Sequence, residues 1–306
     1  MNKIIISPLS NSNNVKLIKT FEVENVIKRW INEFGIDITD EFVNIGKYIY
    51  LYRCNDSGLL FFEPKIEGSS KIYKELQNKF DWYYLDDKWE YDIAKKEIIG
   101  LDNIIEIGCG KGTFVKKMLK GDALNIVGLE TSSEAVNDAR SNNLPVYLNY
   151  IEEYVRENPS FDTDVIIAFQ VLEHLVNPLE FLKTHIKYLK TGGKFIICVP
   201  NLDCFYKYSD ELLDMPPHHA TKWSVESFRY LEKILPVFLT NIRFEPLHDL
   251  HQHIWLRNET KNYRENKWYG KFLFNKITIP IWKKILNSNL RRLIKGHTLY
   301  ISFEKK

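Results

Sequence analysis

The stretch EIGCGKG, from Glu106 to Gly112, constrains the fold of this chain more than any other feature. The apolar run Ile104–Ile107 leads into it and is typical of a buried strand, and Thr113–Lys120 has a pattern compatible with a helix. Glycines at positions 108 and 110 permit backbone conformations that other residues avoid, and they let a ligand approach the main chain closely. The stretch therefore predicts a strand, a turn and a helix start, with a ligand at the helix N-terminus.

The residues around this turn discriminate between kinds of ligand. The spacing G-x-G-x-G followed by Thr113 matches neither the dinucleotide fingerprint nor a phosphate-binding loop. Glu106 disfavours a phosphate and favours an amine-bearing ligand. Glu130 ends the next predicted strand, 22 residues after Gly108, where a carboxylate accepts hydrogen bonds from ribose hydroxyls. A nucleoside that carries an amino acid is S-adenosylmethionine, which we therefore expect as the cofactor.

The segments after residue 101 alternate between strand-like and helix-like patterns, which favours a parallel sheet with crossover helices. The predicted strands are 103–107, 125–129, 146–148, 164–169, 194–199, 239–244 and 298–303. The predicted fold class is α/β: a Rossmann-like, seven-stranded, mostly parallel sheet with an antiparallel last strand and helices on both faces. We place this domain at residues 99–306 and an N-terminal α+β lid region at residues 1–98.

Residues 103–200 resemble a class I S-adenosylmethionine-dependent methyltransferase. The resemblance rests on EIGCGKG, on VGLE ending at Glu130, on FQVLEHL at 169–175 and on Pro200-Asn201. It implies methyl transfer from S-adenosylmethionine. The cofactor contacts that the pattern implies are Glu106, Gly108, Cys109, Gly110, Glu130, Thr131, Tyr150, Ile151, Gln170 and Val171. Many members have Asp where this chain has Tyr150, so a backbone or stacking contact with adenine is expected there.

A hydroxyl acceptor also needs a base that takes its proton. The loop Met215–Ser224 follows the fifth predicted strand, at the edge of the sheet where ligands bind. Its pair His218-His219 resembles a Glu-His pair of sugar C-methyltransferases, in which the histidine is the base, so His219 is the preferred base and His218 takes the Glu position. His174 is a rival, and a structural role for the pair is the alternative.

The N-terminal third resembles a region that precedes this domain in methyltransferases of cell-surface glycan and modified-sugar pathways. The matching segments are 52–64 and 81–91. Relatives often have a zinc-binding C-x-x-C here, but this chain has Cys54 and Ser57, so no metal is expected and the hairpin is held by packing. The aromatic stretch 82–91 is expected to fold over the cofactor through Tyr84 and Trp89; a plain aromatic core is the alternative.

Charge is nearly balanced, with 42 Lys/Arg and 40 Asp/Glu, which disfavours a nucleic-acid partner. Residues 251–306 nevertheless hold 13 Lys/Arg against 3 Asp/Glu. An insert at about 250–296 is predicted to contain a basic amphipathic helix at 281–295, which either packs on the domain or contacts a membrane surface. No apolar run is long enough to span a bilayer, so a cytoplasmic location is expected, with peripheral contact at the inner membrane as the alternative.

The predicted function is methyl transfer to a hydroxyl of a sugar or glycan in surface-polysaccharide biosynthesis, with a small-molecule or glycan substrate as the partner. Three alternatives stay open. They are C-methylation of a nucleotide-linked keto sugar, O-methylation of a lipid or quinone-type molecule, and cofactor binding without catalysis. The sequence predicts no oligomeric state.

Overall fold

The computed structural model describes residues 4–80, 83, 87–120 and 125–306. In chain order the strands are β1 (Val15–Glu22), β2 (Tyr48–Cys54), β3 (Leu60–Glu63), β4 (Asn103–Ile107), β5 (Asn125–Leu129), β6 (Val146–Tyr147), β7 (Thr163–Phe169), β8 (Leu189–Pro200), β9 (Thr221–Lys222), β10 (Val237–Pro246) and β11 (Lys295–Lys305). The helices are α1 (Val23–Phe34), α2 (Ser70–Lys79), α3 (Trp89–Glu97), α4 (Thr113–Leu119), α5 (Ser133–Ser141), α6 (Ile151–Glu157), α7 (Pro178–Tyr188), α8 (Val225–Ile234), α9 (Gln252–Asn266), α10 (Gly270–Leu273) and α11 (Thr278–Leu286).

The larger sheet has seven strands in the order β10-β11-β8-β7-β4-β5-β6. Strands β4 to β8 run parallel to one another, and β11 is antiparallel to its neighbours β8 and β10. Successive residues of β7 alternate between two hydrophobic cores, Ile166 in one and Ile167 in the other. Helices α6, α7 and α8 cover the first face, and α3, α4 and α5 cover the second. The predicted fold class is confirmed.

Strand β8 starts before the predicted range 194–199 and contains Gly192-Gly193, a pair that in the sequence is typical of the end of a helix. The strand begins at Leu189, directly after α7, and contains both glycines. Thr163 of β7 pairs with Leu189 while Val165 pairs with Lys194, so the intervening residues of β8 form a bulge. Gly192 has φ +77°, a conformation that favours glycine, so the glycines permit the bulge rather than end the helix.

The basic insert also differs from the prediction of one helix over 281–295. Helix α11 ends at Leu286, and Ser288 starts a separate 3-10 turn (Asn289–Leu293) by accepting a hydrogen bond from the N–H of Leu290. Gly296 lies in β11, and a Cβ there would lie 2.8 Å from the carbonyl oxygen of Glu245 on β10, so glycine permits the close approach of the two strands. None of the helices in the described residues is long and apolar enough to cross a bilayer.

The N-terminal region forms a second, four-stranded sheet in the order β1-β2-β3-β9. Its hairpin β2-β3 matches the sequence prediction, and its last strand comes from the loop that carries the paired histidines. The buried side chains of this region include Trp30 and Phe62. They share a core with Leu212 and Met215, which lie just before the paired histidines in the chain. The division at residue 98 remains a prediction.

Candidate active site

The glycine turn follows β4, as the sequence predicts. Gly108 has φ +65°, and a Cβ built on it would lie 2.7 Å from Cγ2 of Val171. Glycine is therefore required at 108 both for the backbone conformation and for the close approach of the loop after β7. Cys109, a predicted cofactor contact, is buried with its thiol against Gly128 of β5. Only the main chain of Cys109 is therefore available to a ligand.

Glu130 is fixed by main-chain hydrogen bonds. Its Oε2 accepts from the N–H of Gly110 at 2.8 Å, and its Oε1 accepts from the N–H groups of Thr131 at 2.7 Å and Ser132 at 2.9 Å. Oε2 accepts only one of these bonds and keeps a lone pair that can accept a hydroxyl. The glycine turn and the end of β5 thus form one preorganised unit around a single carboxylate.

Glu106 lies at the base of this unit and is 3% exposed. Burial raises the pKa of its carboxyl to about 8; Lys88 opposes this rise and Glu130 adds to it. Its Oε2 has no hydrogen-bond partner among the described residues. A buried carboxyl with an unsatisfied oxygen is suited to a ligand that carries a positive charge and donates hydrogen bonds.

Gln170 adopts φ +56° at the end of β7, which is uncommon for a residue other than glycine. Its N–H donates to the carbonyl of Cys198 at 2.8 Å, and its Nε2 donates to Oε1 of Glu90 at 3.4 Å. Such backbone strain clusters at ligand-binding sites. This signal, which the sequence does not reveal, supports the predicted place of Gln170 beside the cofactor.

The remaining predicted cofactor residues lie in different surroundings. Tyr150 is 64% exposed at the N-terminus of α6, whereas the side chain of Ile151 is buried in the core below it. Trp89 packs edge-on against Tyr300, with ring centroids 6.4 Å apart. Tyr84 lies outside the described residues.

The three predicted catalytic histidines, His174, His218 and His219, come together as one group, which we call the histidine cluster. The ring centroids lie 4.8, 4.8 and 4.4 Å apart. His174 follows β7, and the other two follow a 3-10 turn at Leu212–Asp214. The N–H of Ala220 donates to the carbonyl of Glu173 at 2.9 Å and so joins the two loops.

Each histidine of the cluster has a fixed orientation. Nδ1 of His174 donates to the carbonyl of His218 at 2.7 Å, and Nδ1 of His218 donates to the carbonyl of Leu213 at 2.7 Å. Nδ1 of His219 lies 3.3 Å from Oδ1 of Asp214. Burial lowers the pKa of all three imidazoles, that of His174 to about 3. The three rings are therefore neutral at pH 7 and have Nε2 as their basic nitrogen.

Asp214 supports the cluster from below. It accepts a hydrogen bond from Lys222 at 2.6 Å, and the charge of Lys222, followed by the contact with His219, lowers the pKa of Asp214 in spite of its burial. The ionised carboxylate orients His219 and would stabilise a positive charge on this ring.

Two tyrosines that the sequence analysis did not assign to this end of the site contact the cluster. The hydroxyl of Tyr83 lies 2.8 Å from Nε2 of His218, and that of Tyr73 lies 3.1 Å from Nδ1 of His174. Both come from the N-terminal region, more than 90 residues before their partners in the sequence. Tyr83 belongs to the aromatic stretch 82–91 that was expected to cover the cofactor. This stretch was therefore the sequence signal that could have indicated a contact of Tyr83 with the site.

Comparison with known proteins shows the family to which this chain belongs. The model of a methyltransferase domain matches residues 51–264, well over half of the chain. A tRNA U34 carboxymethyltransferase of Shewanella frigidimarina is 28% identical over 145 residues, which cover 44% of this chain and 42% of the relative. A ubiquinone biosynthesis O-methyltransferase of Aliivibrio fischeri is 32% identical over 137 residues, which cover 42% of this chain and 58% of the relative.

Among solved structures, a SAM dependent methyltransferase from Archaeoglobus fulgidus is 15% identical, with a TM-score of 0.45, and the match covers 78% of this chain and all of that one. The chain spans less than two thirds of the length of the curated relatives it matches.

Proposed function

Since this chain belongs to the methyltransferase-domain family, with S-adenosylmethionine as its cofactor, we propose that it moves the methyl group of that cofactor to a hydroxyl of a sugar or glycan. The observation that carries the proposal is the oriented pair of His219 and Asp214, which lies beyond the carboxyl ends of the parallel strands. A proton acceptor at this edge of the sheet is what methylation of a hydroxyl requires.

In the proposed cofactor site, Glu106 faces the ammonium group of the cofactor and Glu130 accepts the ribose hydroxyls. Gly108, Gly110, Thr131, Gln170 and Val171 line the site, and Tyr150 flanks the adenine. The fixed carboxylate of Glu130 and the unsatisfied oxygen of Glu106 support this arrangement. Because the transferred methyl already carries the positive charge of the sulfonium, the protein mainly has to align donor and acceptor.

The histidine and tyrosine side chains of the acceptor end support a sugar as the acceptor. Histidine and tyrosine side chains can each exchange hydrogen bonds with the hydroxyls of a sugar ring. The cluster and its two tyrosines present such groups together. The resemblance of residues 52–64 and 81–91 to glycan-pathway methyltransferases also supports a place in surface-polysaccharide biosynthesis.

A screen with radiolabelled S-adenosylmethionine tests this proposal. Nucleotide sugars, glycans, lipid extracts and tRNA are offered separately, and the labelled product is identified by mass spectrometry. We expect label on a sugar oxygen. Label on carbon of a keto sugar, on tRNA or on a quinone-type ring would overturn the proposed acceptor, and the absence of transfer to any acceptor would favour a binding protein without catalysis.

A second candidate acceptor is a lipid or lipid-linked molecule at a membrane surface. Trp268, Phe272 and Ile277 in the basic insert are 94%, 77% and 79% exposed, and each directly follows a lysine. Residues 252–294 carry ten Lys/Arg and two Asp/Glu. Exposed apolar side chains among lysines are typical of segments that lie in the interface of an anionic membrane. The relative named for ubiquinone biosynthesis gives this candidate further support.

Sedimentation with vesicles that contain phosphatidylglycerol tests this second candidate. We expect binding that falls with added salt and with the double change Trp268→Ser and Phe272→Ser. Neutral phosphatidylcholine vesicles are the control. Equal sedimentation with both kinds of vesicle, or with neither, would contradict an anionic membrane surface as the partner.

A further inference from the structure

The histidine cluster has a property that a general base alone does not need. One ring nitrogen of each of the three histidines lies within 4.8 Å of the other two. A single base requires one imidazole and a group that orients it, whereas in a group of three buried imidazoles a charge on one ring disfavours protonation of the others. Their convergence is the arrangement that a metal ion stabilises.

The hydrogen bonds of the cluster place a proton on Nδ1 of every ring and leave the lone pair on Nε2, which on His218 contacts the hydroxyl of Tyr83. Carbonyl oxygens only accept, so the contacts with His218 O and Leu213 O require a proton on Nδ1 of His174 and of His218. Asp214 imposes the same tautomer on His219. Metal-binding histidines in proteins almost always donate their other ring N–H to a carbonyl or a carboxylate. The supporting contacts of a metal site are thus in place.

A fourth group next to the cluster is the buried carboxyl of Glu173. The residue is 1% exposed, neither carboxyl oxygen has a hydrogen-bond partner among the described residues, and Oε1 lies 3.9 Å from Nε2 of His174. A buried carboxyl without a partner is costly. A cation held between Glu173 and the imidazoles would satisfy it.

We propose that the histidine cluster and Glu173 bind one divalent transition-metal ion. Three nitrogen ligands and one oxygen ligand favour Zn²⁺, Co²⁺, Mn²⁺ or Fe²⁺ over Mg²⁺ and Ca²⁺, which prefer oxygen alone. Ligand nitrogens on one tetrahedral ion are roughly 3.4 Å apart, so the rings close on the ion by roughly an ångström. The hydroxyl of Tyr83, at 2.8 Å from Nε2 of His218, leaves that nitrogen or becomes a further ligand.

The role of the ion rests on the proposed function. The loop that carries Glu173 and His174 also carries Val171, which packs against Gly108 of the glycine turn, so the ion lies at the acceptor end of the cofactor site. With the ion bound, Nε2 of His219 would be a ligand. The ion would then lower the pKa of an acceptor hydroxyl bound to it, and that proton would pass to water rather than to His219. Its oxygen then forms a bond to the methyl carbon, and the carbon–sulfur bond breaks with its electron pair left on sulfur.

Metal binding by the purified full chain tests the inference without any acceptor. The protein is stripped with a chelator, dialysed against Zn²⁺ or Co²⁺ alone, and its metal content is measured. We expect about one ion per chain. His174→Ala, His218→Ala and Glu173→Gln should each weaken binding by about 100-fold or more, and Asp214→Asn, which acts through His219, by about 10–100-fold. His253→Ala, an exposed histidine in α9, is the matched control and should bind as the parent does.

Three results would overturn the inference: less than a tenth of an ion per chain, unchanged affinity in the three ligand variants, or an equal loss in His253→Ala. X-ray absorption of the zinc-loaded parent keeps the test independent of variants that do not fold. Nitrogen and oxygen scatterers at about 2.0–2.1 Å support the site, and sulfur at about 2.3 Å contradicts it. If sugars are methylated equally with and without chelator, the proposed function stands and the proposed role of the ion falls. If metal binds but no sugar is methylated, the reverse holds.

Discussion

The two ends of the site are built in opposite ways. The cofactor end is made by main-chain groups of one short segment and the start of the next helix, all gathered around Glu130. The acceptor end is made by side chains from three distant segments, with Tyr83, His174 and His219 as examples. The first end depends on backbone conformation, and the second depends on how the two sheets pack together. We therefore expect substitutions at the two ends to affect different measurements.

The largest expected effect separates the two ends. His219→Ala should lower turnover by about 10²–10⁴-fold, because the acceptor hydroxyl loses the group that handles its proton. The affinity for S-adenosylmethionine, measured by calorimetry, should not change. His253→Ala is the control for turnover. Full activity of His219→Ala would move the proton acceptor elsewhere, and a large loss of cofactor affinity would show that the two ends are not separable.

The next effect concerns pH at the cofactor end. Glu106 is protonated below its pKa of about 8, and it must lose that proton to hold an ammonium group. The affinity for S-adenosylmethionine should therefore rise with pH by up to about tenfold per unit between pH 6 and pH 8, and then level off.

Glu173, at the acceptor end, also has a pKa of about 8. Variants are therefore needed to show which of the two carboxyl groups causes the pH dependence of the affinity. Glu106→Gln should bind S-adenosylmethionine more weakly and with no dependence on pH in this range. Calorimetry on the parent and on both Glu106→Gln and Glu173→Gln gives the answer. An affinity of the parent that is constant from pH 6 to pH 8 would refute the role of Glu106.

Glu130→Ala should weaken the binding of S-adenosylmethionine by about 1–3 kcal/mol, because one charged hydrogen-bond partner of the ribose is lost. Calorimetry measures the change. Glu134→Ala, four residues later in the first turn of α5 and exposed, is the matched control and should bind normally. Unchanged affinity in Glu130→Ala would rule out the ribose assignment.

The smallest effect tests how the acceptor end is held. Tyr83→Phe removes the hydroxyl that contacts His218 and should lower the free energy of unfolding by about 0.5–1.5 kcal/mol. Cofactor affinity should stay the same. Denaturant unfolding measures the change, with Tyr208→Phe, a partly exposed tyrosine, as the control. Equal stability of the parent and Tyr83→Phe would mean that the contact contributes nothing.

The sequence predicts the cofactor end well because its determinants are local. Strand β4, the glycine turn and Glu130 follow from apolar runs, glycine spacing and chain distance. The contacts of Tyr73 and Tyr83 with the cluster could not be predicted, since they join residues more than 90 positions apart through packing. The helix predicted over 281–295 was wrong because its periodicity continues past Ser288, where a hydrogen bond to the N–H of Leu290 starts a new turn instead.

Strand β9 places the loop of His218 and His219 at the edge of the N-terminal sheet. Thr221 pairs with Phe61, and the N–H of Phe62 donates to the carbonyl of Ala220, next to His219. A mutation in strand β3 can therefore shift the acceptor groups without touching the glycine turn. In evolutionary terms, a protein built this way can change the molecule it modifies while it keeps the same donor, because the two properties are inherited through different parts of the chain.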